Sequence, residues 1–156
     1  MTRLRTAAVL VGALAIAAPA IGAQHESSNP AVKARQAHMQ LYAFNLGQLG
    51  AMAKGEAEYD ADAATAAAAD LVALSGMDQT AYLADGTSSD EVDGSHALPA
   101  LFENKDDYKT LQTNLHDAAM AMETAAGESA EAIGAQMGAL GGACGACHKK
   151  YRVSDD

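Results

Sequence analysis

The sequence predicts an all-α protein folded as an antiparallel four-helix bundle, and three observations favour this fold class. Hydrophobic residues make up 49% of the chain and aromatic residues only 4%, because much of the apolar content is alanine, the strongest helix former. Four segments repeat apolar residues at the three- and four-residue spacing of a helix face. No segment shows the pattern of a strand. Alanine fills little volume, so we expect part of the core to be filled by a group other than the side chains.

Residues 1–23 are predicted to be an export signal that is cleaved within positions 20–23. Arg3 and Arg5 precede an apolar run, and small residues follow that run. A retained membrane anchor is the alternative, but the apolar run is short for a bilayer span. We therefore expect export to the periplasm.

The remaining domain, residues 24–156, is strongly acidic. Loss of Arg3 and Arg5 with the signal changes the formal net charge from −10 to −12. Such a surface repels nucleic acid and anionic lipid, and it favours a partner with a basic or neutral docking surface. No further run is long enough to cross a membrane. We expect no binding to nucleic acid, and no membrane attachment after cleavage.

The first predicted helix follows Asn29, an N-cap residue, and begins with Pro30 at its first position. It runs to Lys54, after which Gly55 can end it in the left-handed conformation. The second predicted helix consists mostly of alanine. It is capped by Asp60 or Asp62 and ends at residues 75–76.

A long connection covers residues 77–104. Its acidic, turn-rich part at 85–94 is predicted to be a solvated loop. The apolar cluster at 98–102, Leu-Pro-Ala-Leu-Phe, is expected to fold back onto an apolar surface. This connection would join the two antiparallel hairpins of the bundle.

The third predicted helix covers residues 105–126, with Gly127 as its C-cap. The fourth begins after Ser129, a good N-cap, and its apolar face leads to Tyr151. Its glycines cost about 1 kcal/mol each relative to alanine. They predict either room for a flat macrocycle or local fraying, and they stand at positions 134, 138, 141, 142 and 145.

The clearest chemical signal is Cys144-Gly-Ala-Cys147-His148, a C-x-x-C-H motif in which the two cysteines are the only ones in the chain. This motif is typical of covalent haem c attachment, with thioethers from both cysteines and an imidazole ligand to the iron. Spaced three apart on a helix, Cys144 and Cys147 face the same side. A disulfide framework would need more cysteines, and a structural zinc site needs four ligands where this motif offers at most three. A thioredoxin-like pair is the main alternative, but it should follow a strand.

The sixth iron ligand is left open by the sequence. Met39 stands out among seven methionines because Arg35, one turn earlier on the same face, is placed to pair with a haem propionate. His38, His96 and His116 are rival ligands, each expected to be exposed. His38 points about 100° away from Met39 on the helix, so both cannot serve.

The two ends of the chain resemble the cytochrome c prime family. Cys144-x-x-Cys147-His148-x-x-x-Arg152 is similar to the family's C-terminal haem motif. Val-Lys-x-Arg-Gln-x-x-Met at 32–39 and Lys-Gly-Glu-x-x-Tyr-Asp at 54–60 are similar to its first helix and the following turn. The resemblance implies one haem c, bound in the core of a four-helix bundle near the C-terminal helix.

The resemblance also implies roles for single residues. His148 would be the proximal ligand, Arg35 and Gln36 would lie beside the haem, and Leu101 would pack against it. Ala100 and Phe102 stand where the family usually has an acidic residue and a tryptophan. Arg152 would lie near the imidazole, and as a cation at a helix C-terminus it would also favour the helix dipole.

The family has two branches, which differ in what lies on the side of the iron opposite His148. In one branch a methionine at the position of Met39 is the sixth ligand, and the protein transfers electrons. In the other the iron is five-coordinate, the distal residue only blocks its face, and nitric oxide or carbon monoxide binds. Members often form homodimers through the first two helices, and the alanine-rich second helix permits such contact.

The sequence thus predicts a periplasmic monohaem c-type cytochrome that carries single electrons to and from redox partner proteins. The alternatives are a gas-binding cytochrome with Met39 as a non-ligating residue, and a haem-free helical interaction module. Neither paired carboxylates, nor a nucleophile with a base, nor a phosphate-binding loop is evident, so no enzyme is predicted.

Overall fold

A computed structural model describes residues 27–154, which form four long helices and one short helix. The predicted signal, residues 1–23, lies outside this part of the chain. In the described part no strand forms, and the only β-type pairing is an isolated antiparallel bridge between Ala97 and Arg152. The all-α prediction is confirmed. The helices are α1 (Pro30–Ala53), α2 (Ala61–Gly76), α3 (Pro99–Glu103), α4 (Lys105–Ala126) and α5 (Ala130–Tyr151).

The predicted N-caps of the long helices are confirmed at three positions. The side chains of Asn29, Asp60 and Ser129 each accept a hydrogen bond from a backbone N–H in the first turn of α1, α2 and α5, respectively. Gly55 has φ +72°, so it adopts the left-handed conformation predicted for it. Local sequence signals therefore set these helix ends.

Gly127 is the C-cap of α4, as predicted, and its backbone N–H donates to the Ala125 carbonyl. Its φ is −81°, in the right-handed region open to any residue. A Cβ atom built at Gly127 would lie 3.3 Å from Oγ1 of Thr65 on α2. The glycine thus allows close approach between the α4–α5 turn and α2.

The helices pack in a square in which α1 contacts α2 and α5, and α4 also contacts α2 and α5. Consecutive long helices run antiparallel, so the two short turns, residues 54–60 and 127–129, lie at one end of the bundle. We call this the closed end. Its core contains a few large side chains and the buried alanines of α2, and it includes Leu49, Met52, Ala64, Ala67, Ala68, Met122, Ala126 and Ile133.

The connection from α2 to α4 crosses the opposite end of the bundle, which we call the cavity end. Part of it is buried, which corrects the prediction of a solvated loop at 85–94. Thr87 and Ser88 are 4% and 1% exposed, because this stretch folds under polar side chains of α1. A single 3₁₀ turn, Thr80–Tyr82, begins the crossing.

The apolar segment at 98–102 folds back onto the bundle as predicted, and it contains α3. Pro99 occupies the first turn of this helix, and Leu101 is 5% exposed. Leu101 belongs to a second core cluster with Tyr108 of α4 and Tyr151 of α5. Through this cluster the connection packs against the end of α5.

Backbone hydrogen bonds tie the connection to the C-terminal residues. The Leu98 N–H donates to the Tyr151 carbonyl, and the Val153 N–H donates to the His96 carbonyl, both at 2.9 Å. None of the helices between residues 27 and 154 combines the length and apolar character needed to cross a bilayer.

Candidate functional site

Two adjoining cavities lie between α1 and α5 at the cavity end. The larger has a volume of about 800 Å³ and the smaller about 180 Å³. Met39, Tyr108, Cys147 and His148 line both. The larger volume is within the range of sites that hold a small molecule or cofactor. The two cavities therefore form one candidate site.

All eight residues singled out from the sequence line these cavities. The larger cavity is lined by Arg35, Gln36, Met39, Leu101, Cys147, His148 and Arg152, and Cys144 lines the smaller with Met39, Cys147 and His148. The N-terminal half of α1 and the C-terminal turns of α5 thus meet across one space. Their roles there remain predictions.

The two cysteines lie on consecutive turns of α5 and are free thiols, each partly buried. Burial raises the pKa of Cys144, and burial followed by the nearby Asp107 charge raises the pKa of Cys147 to about 11. A reactive redox cysteine has a lowered pKa, because its thiolate is the nucleophile. The raised pKa values argue against the thioredoxin-like alternative.

His148 follows Cys147 directly in the last turns of α5. Although His148 is an exposed residue, partial desolvation of its ring, and then the charge of Arg152, lowers the pKa of its imidazole. A lowered pKa keeps the ring neutral near pH 7, which is the form that binds a metal. The effect of Arg152 also places its guanidinium within electrostatic range of the ring.

Met39 lies opposite on α1 and is 36% exposed. It lines both cavities, so its side chain lies at their junction. A thioether on a flexible, unbranched side chain can reposition at little cost. The Met39 sulfur is therefore free to turn toward the space between α1 and α5.

Arg35 holds the connection in place. Its two terminal nitrogens donate hydrogen bonds to the Tyr82 carbonyl (2.6 Å), to Oγ1 and the carbonyl of Thr87 (3.3 and 3.0 Å), and to Oγ of Ser95 (3.1 Å). Gln36 Nε2 donates to the Gly94 carbonyl at 2.8 Å. The pair expected beside the haem thus also anchors the loop that covers the larger cavity.

The histidine prediction needs a correction. His96 is exposed, but His116 is half-buried, with Nδ1 2.9 Å from Oγ of Ser75. His38 is only 4% exposed, and its ring lies edge-on to Tyr42 with centroids 4.8 Å apart. Local spacing gave no sign of this burial, because the pocket around His38 is completed by residues of the connection.

The sequence also gave no sign of a group of buried polar residues beside the smaller cavity. Tyr42, Gln79 and Tyr108 line this cavity, and all three are at least nine-tenths buried. Tyr108 Oη donates to Gln79 Oε1 at 2.5 Å. A periodic apolar stripe includes tyrosine as ordinary core, so only the assembled structure reveals the group.

These residues fit a haem c. Two thiols on one helix face, a neutral imidazole beside them and a thioether across the space are the kinds of group that attach haem c and bind its iron. The Tyr42 hydroxyl is buried without a hydrogen-bond partner among residues 27–154. Such a group is expected beside a cavity that binds a cofactor or its ligand. None of the five glycines of α5 lines either cavity, and α5 is continuous through them, so neither reason predicted for them is supported.

Comparisons with known proteins converge on one family. A family model described as Cytochrome C' matches residues 30–152. A cytochrome c' of Cereibacter sphaeroides is 40% identical over 146 residues, covering 94% of this chain and 95% of the relative. A cytochrome c-556 of Agrobacterium tumefaciens is 33% identical over 123 residues, covering 78% and 96%.

Solved structures agree with the sequence relatives. A cytochrome c' from a Rhodobacter species superposes with a TM-score of 0.76 at 40% identity, covering 80% of this chain and 95% of the solved chain. The matched region of the family model begins at the first residue of α1 and ends one residue after α5. The likeness therefore covers the whole bundle and both walls of the site.

Proposed function

This chain belongs to the cytochrome c' family, and from that premise we propose that it is a periplasmic monohaem c-type cytochrome that carries single electrons and is not an enzyme. The observation that carries the proposal is the meeting of Cys144, Cys147 and His148 on α5 with Met39 on α1 across one cavity. An iron porphyrin bound there supplies the one-electron chemistry. The protein supplies the ligands, the burial and the electrostatics.

Each residue then has a distinct task. Cys144 and Cys147 form the thioethers, neutral His148 binds the iron from α5, and Met39 binds it from α1. A thioether opposite an imidazole raises the reduction potential, which suits an electron carrier. Leu101 excludes water from the edge of the cavity.

The polar residues at the mouth of the larger cavity would hold the propionate edge. Arg35 and Gln36 of α1 and Arg152 after α5 all line this cavity. Arg35 is already fixed by the connection, so it would meet a carboxylate without losing much conformational freedom. Its position near the opening would leave this edge accessible to a redox partner.

Export and partner choice follow from the sequence. The signal at residues 1–23 would deliver the chain to the periplasm. The net charge of −12 after cleavage favours redox partners with basic docking surfaces. Exposed Leu41 and Phe44 on α1, 51% and 66% exposed, offer an apolar surface for a homodimer. A related cytochrome c', 30% identical, is described as having ligand-controlled dimer dissociation.

Gas binding is the second candidate function. A related cytochrome c' at 30% identity was solved as a nitric oxide complex. In this chain Met39 is 36% exposed, so no core packing fixes its sulfur opposite His148. If Met39 stays off the iron, nitric oxide or carbon monoxide would bind on that side.

The attachment is tested by mass spectrometry of the exported protein and of its Cys144→Ser and Cys147→Ser variants. The parent should carry one covalent haem, and the double variant should carry none, because both thioethers are lost. A parent without added mass would favour a haem-free helical module. Covalent haem in the double variant would contradict the assigned attachment, whereas each single variant still has one cysteine that can form a thioether.

Optical spectra before and after carbon monoxide separate the two candidate functions. A low-spin spectrum with a thioether-to-iron band, unchanged by the gas, would support electron transfer through a Met39-ligated haem. In that case Met39→Leu should make the spectrum respond to carbon monoxide. Met137→Leu, at a half-buried position outside both cavities, should leave it unchanged. A high-spin parent that responds to the gas would support gas binding.

A further inference from the structure

Four polar side chains form a buried group beside the smaller cavity: Tyr42, Gln79 and Tyr108, which line it, and His38 behind them. Tyr108 Oη donates to Gln79 Oε1, and Gln79 Nε2 lies 3.4 Å from His38 Nε2. The His38 ring also contacts the rings of Tyr42 and Tyr82. The Gln79, Tyr108 and His38 side chains therefore satisfy one another.

The Tyr42 hydroxyl is the exception. Tyr42 is 8% exposed, and its Oη has no hydrogen-bond partner among residues 27–154. Gln79 lowers the pKa of Tyr42, as an amide N–H facing the hydroxyl oxygen does, but the Gln79 oxygen, which could accept the Tyr42 proton, already accepts from Tyr108. A buried hydroxyl without a partner costs stability, so native proteins rarely leave one unless a water, ligand or cofactor supplies the acceptor.

The position of Tyr42 says where that acceptor would be. Tyr42 stands one turn after Met39 on α1, and both line the smaller cavity opposite Cys144 and His148 of α5. Burial raises the pKa of Tyr42 to about 12, and the nearby Cys144 thiol adds to the increase. The hydroxyl is thus protonated at neutral pH and close to the cysteine side of the cavity. A haem held by α5 would turn its other face toward Met39 and Tyr42.

We propose that Tyr42 donates a hydrogen bond to a small ligand on the Met39 side of the haem, and that it selects for anionic or strongly hydrogen-bond-accepting ligands over carbon monoxide. This inference rests on the proposed haem attachment but not on whether Met39 binds the iron. A donor in the distal pocket is one of the features that decide which ligands a haem protein binds.

The selectivity has a direct physical cause. A hydrogen bond to a charged acceptor is about twice as strong as one between neutral groups, and it gains further strength away from water. An anion such as fluoride would benefit fully from the Tyr42 hydroxyl. Carbon monoxide, a weak acceptor, would gain little. The rest of the smaller cavity is mainly apolar, and leucine and alanine side chains contribute much of its wall.

The test uses haem-loaded protein in a Met39→Leu background, which opens the iron whether or not Met39 is a ligand. Fluoride affinity of the ferric form and carbon monoxide affinity of the ferrous form are compared with and without Tyr42→Phe. Loss of the hydroxyl should weaken fluoride binding about tenfold, a change of about 1.4 kcal/mol. Carbon monoxide affinity should change less than about threefold.

Tyr59→Phe is the matched control, because the Tyr59 hydroxyl donates to the Ala126 carbonyl at the closed end. It should leave both affinities unchanged. Equal fluoride affinities with and without Tyr42→Phe, in proteins that carry haem, would overturn the inference but leave the proposed function intact. Absence of haem from the Met39→Leu parent and from the unmodified protein would overturn the proposed function itself.

A vibrational measurement tests the hydrogen bond independently of ligand affinity. In the Met39→Leu parent, the iron–fluoride stretching frequency should shift on exchange into D₂O, because the donated proton is exchangeable. No shift would contradict hydrogen bonding from Tyr42. In Tyr42→Phe this isotope shift should disappear, which distinguishes the hydroxyl from other exchangeable groups.

Discussion

At the closed end of the bundle, side chains alone fill the core, whereas at the cavity end two spaces of about 800 and 180 Å³ separate α1 from α5. The closed end buries alanines of α2 against Ile133 and Met122, which are fully buried. The cavity end buries His38, Gln79 and the Tyr42 hydroxyl. One end is complete without a cofactor, and the other has polar groups and open volume prepared for one.

The comparison shows how alanine-rich helices can both support a stable bundle and leave space for a large planar group. Alanine lets α2 approach its neighbours closely, because Ala64, Ala67 and Ala68 are buried and fill little volume. The larger residues that would fill a conventional core are few, and much of the cavity end is left for the haem. Changes at the two ends should therefore have different consequences.

The largest effect is expected from the double substitution Cys144→Ser and Cys147→Ser. It should remove covalent haem completely and loosen the cavity end, because the cavity walls lose their filling. Hydrogen exchange should become faster in the N-terminal half of α1 and the C-terminal half of α5, while buried amides around Ala64 and Ile133 stay protected. Equal loss of protection at both ends would contradict the division.

The next largest effect is expected when a core side chain is truncated to alanine, because the loss of stability should depend on haem at the cavity end only. Ile133 is 0% exposed and closely packed, so Ile133→Ala should cost about 2–5 kcal/mol of unfolding free energy with or without haem. Leu101 is 5% exposed but borders the larger cavity. Leu101→Ala should cost a similar amount with haem and less than half as much in the double serine variant, where the site can relax.

Urea unfolding of the two parents and the four variants measures this difference. The matched comparison is the ratio of the two costs within each background, which cancels the effect of the haem on overall stability. An equal ratio in both backgrounds would mean that Leu101 does not pack against the cofactor.

Glycine-to-alanine substitutions should change sign between the ends. A Cβ atom at exposed Gly142 on α5 would meet nothing within 4 Å, so Gly142→Ala should stabilise the protein by up to about 1 kcal/mol. Gly55 has φ +72°, so Gly55→Ala should destabilise it by about 1–2 kcal/mol. Thermal unfolding checks both signs, and destabilisation by Gly142→Ala would reveal a contact on that surface.

The smallest effect is expected from Asp107, a partly exposed carboxylate at the cavity end. A hydrogen bond from Tyr151 Oη (2.6 Å) and the Lys150 charge lower the pKa of Asp107. A lowered carboxyl pKa adds stability above the unfolded value of about 3.9, and this is lost as pH falls below it. Asp107→Asn should therefore flatten the loss of stability between about pH 4 and pH 2.

Urea midpoints measured across that pH range provide the check. Asp106→Asn is the control, because Asp106 is also in the first turn of α4 but makes no ion pair described between residues 27 and 154. If both variants lose stability in parallel with the parent, the Tyr151 contact contributes nothing measurable.

Much of the fold could be predicted because its signals are local. Asn29, Asp60, Ser129 and Gly55 act within one turn of their own positions. The C-x-x-C-H motif is equally local, and it predicts the attachment side of the site. Met39 was found because spacing on one helix relates it to Arg35.

The missed features depend on partners far away in sequence. His38 is buried because Gln79 and Tyr82 cover it, and Thr87 is buried because Arg35 binds it from 52 residues away. Gly127 is needed for its contact with Thr65 rather than for its backbone angle. No pattern within one helix contains this information, since the connection could have taken another course.

The pairing of Ala97 with Arg152 constrains the order in which the protein folds. The α1–α2 and α4–α5 hairpins close through neighbouring segments, whereas Arg35 must find Ser95 across 60 residues and Ala97 must find the last turn of α5. Distant closures carry a larger entropic cost and slow folding. We expect pulse-labelled hydrogen exchange to show the cavity end protected last. During that interval the thiols of Cys144 and Cys147 stay open to the chemistry that joins them to haem.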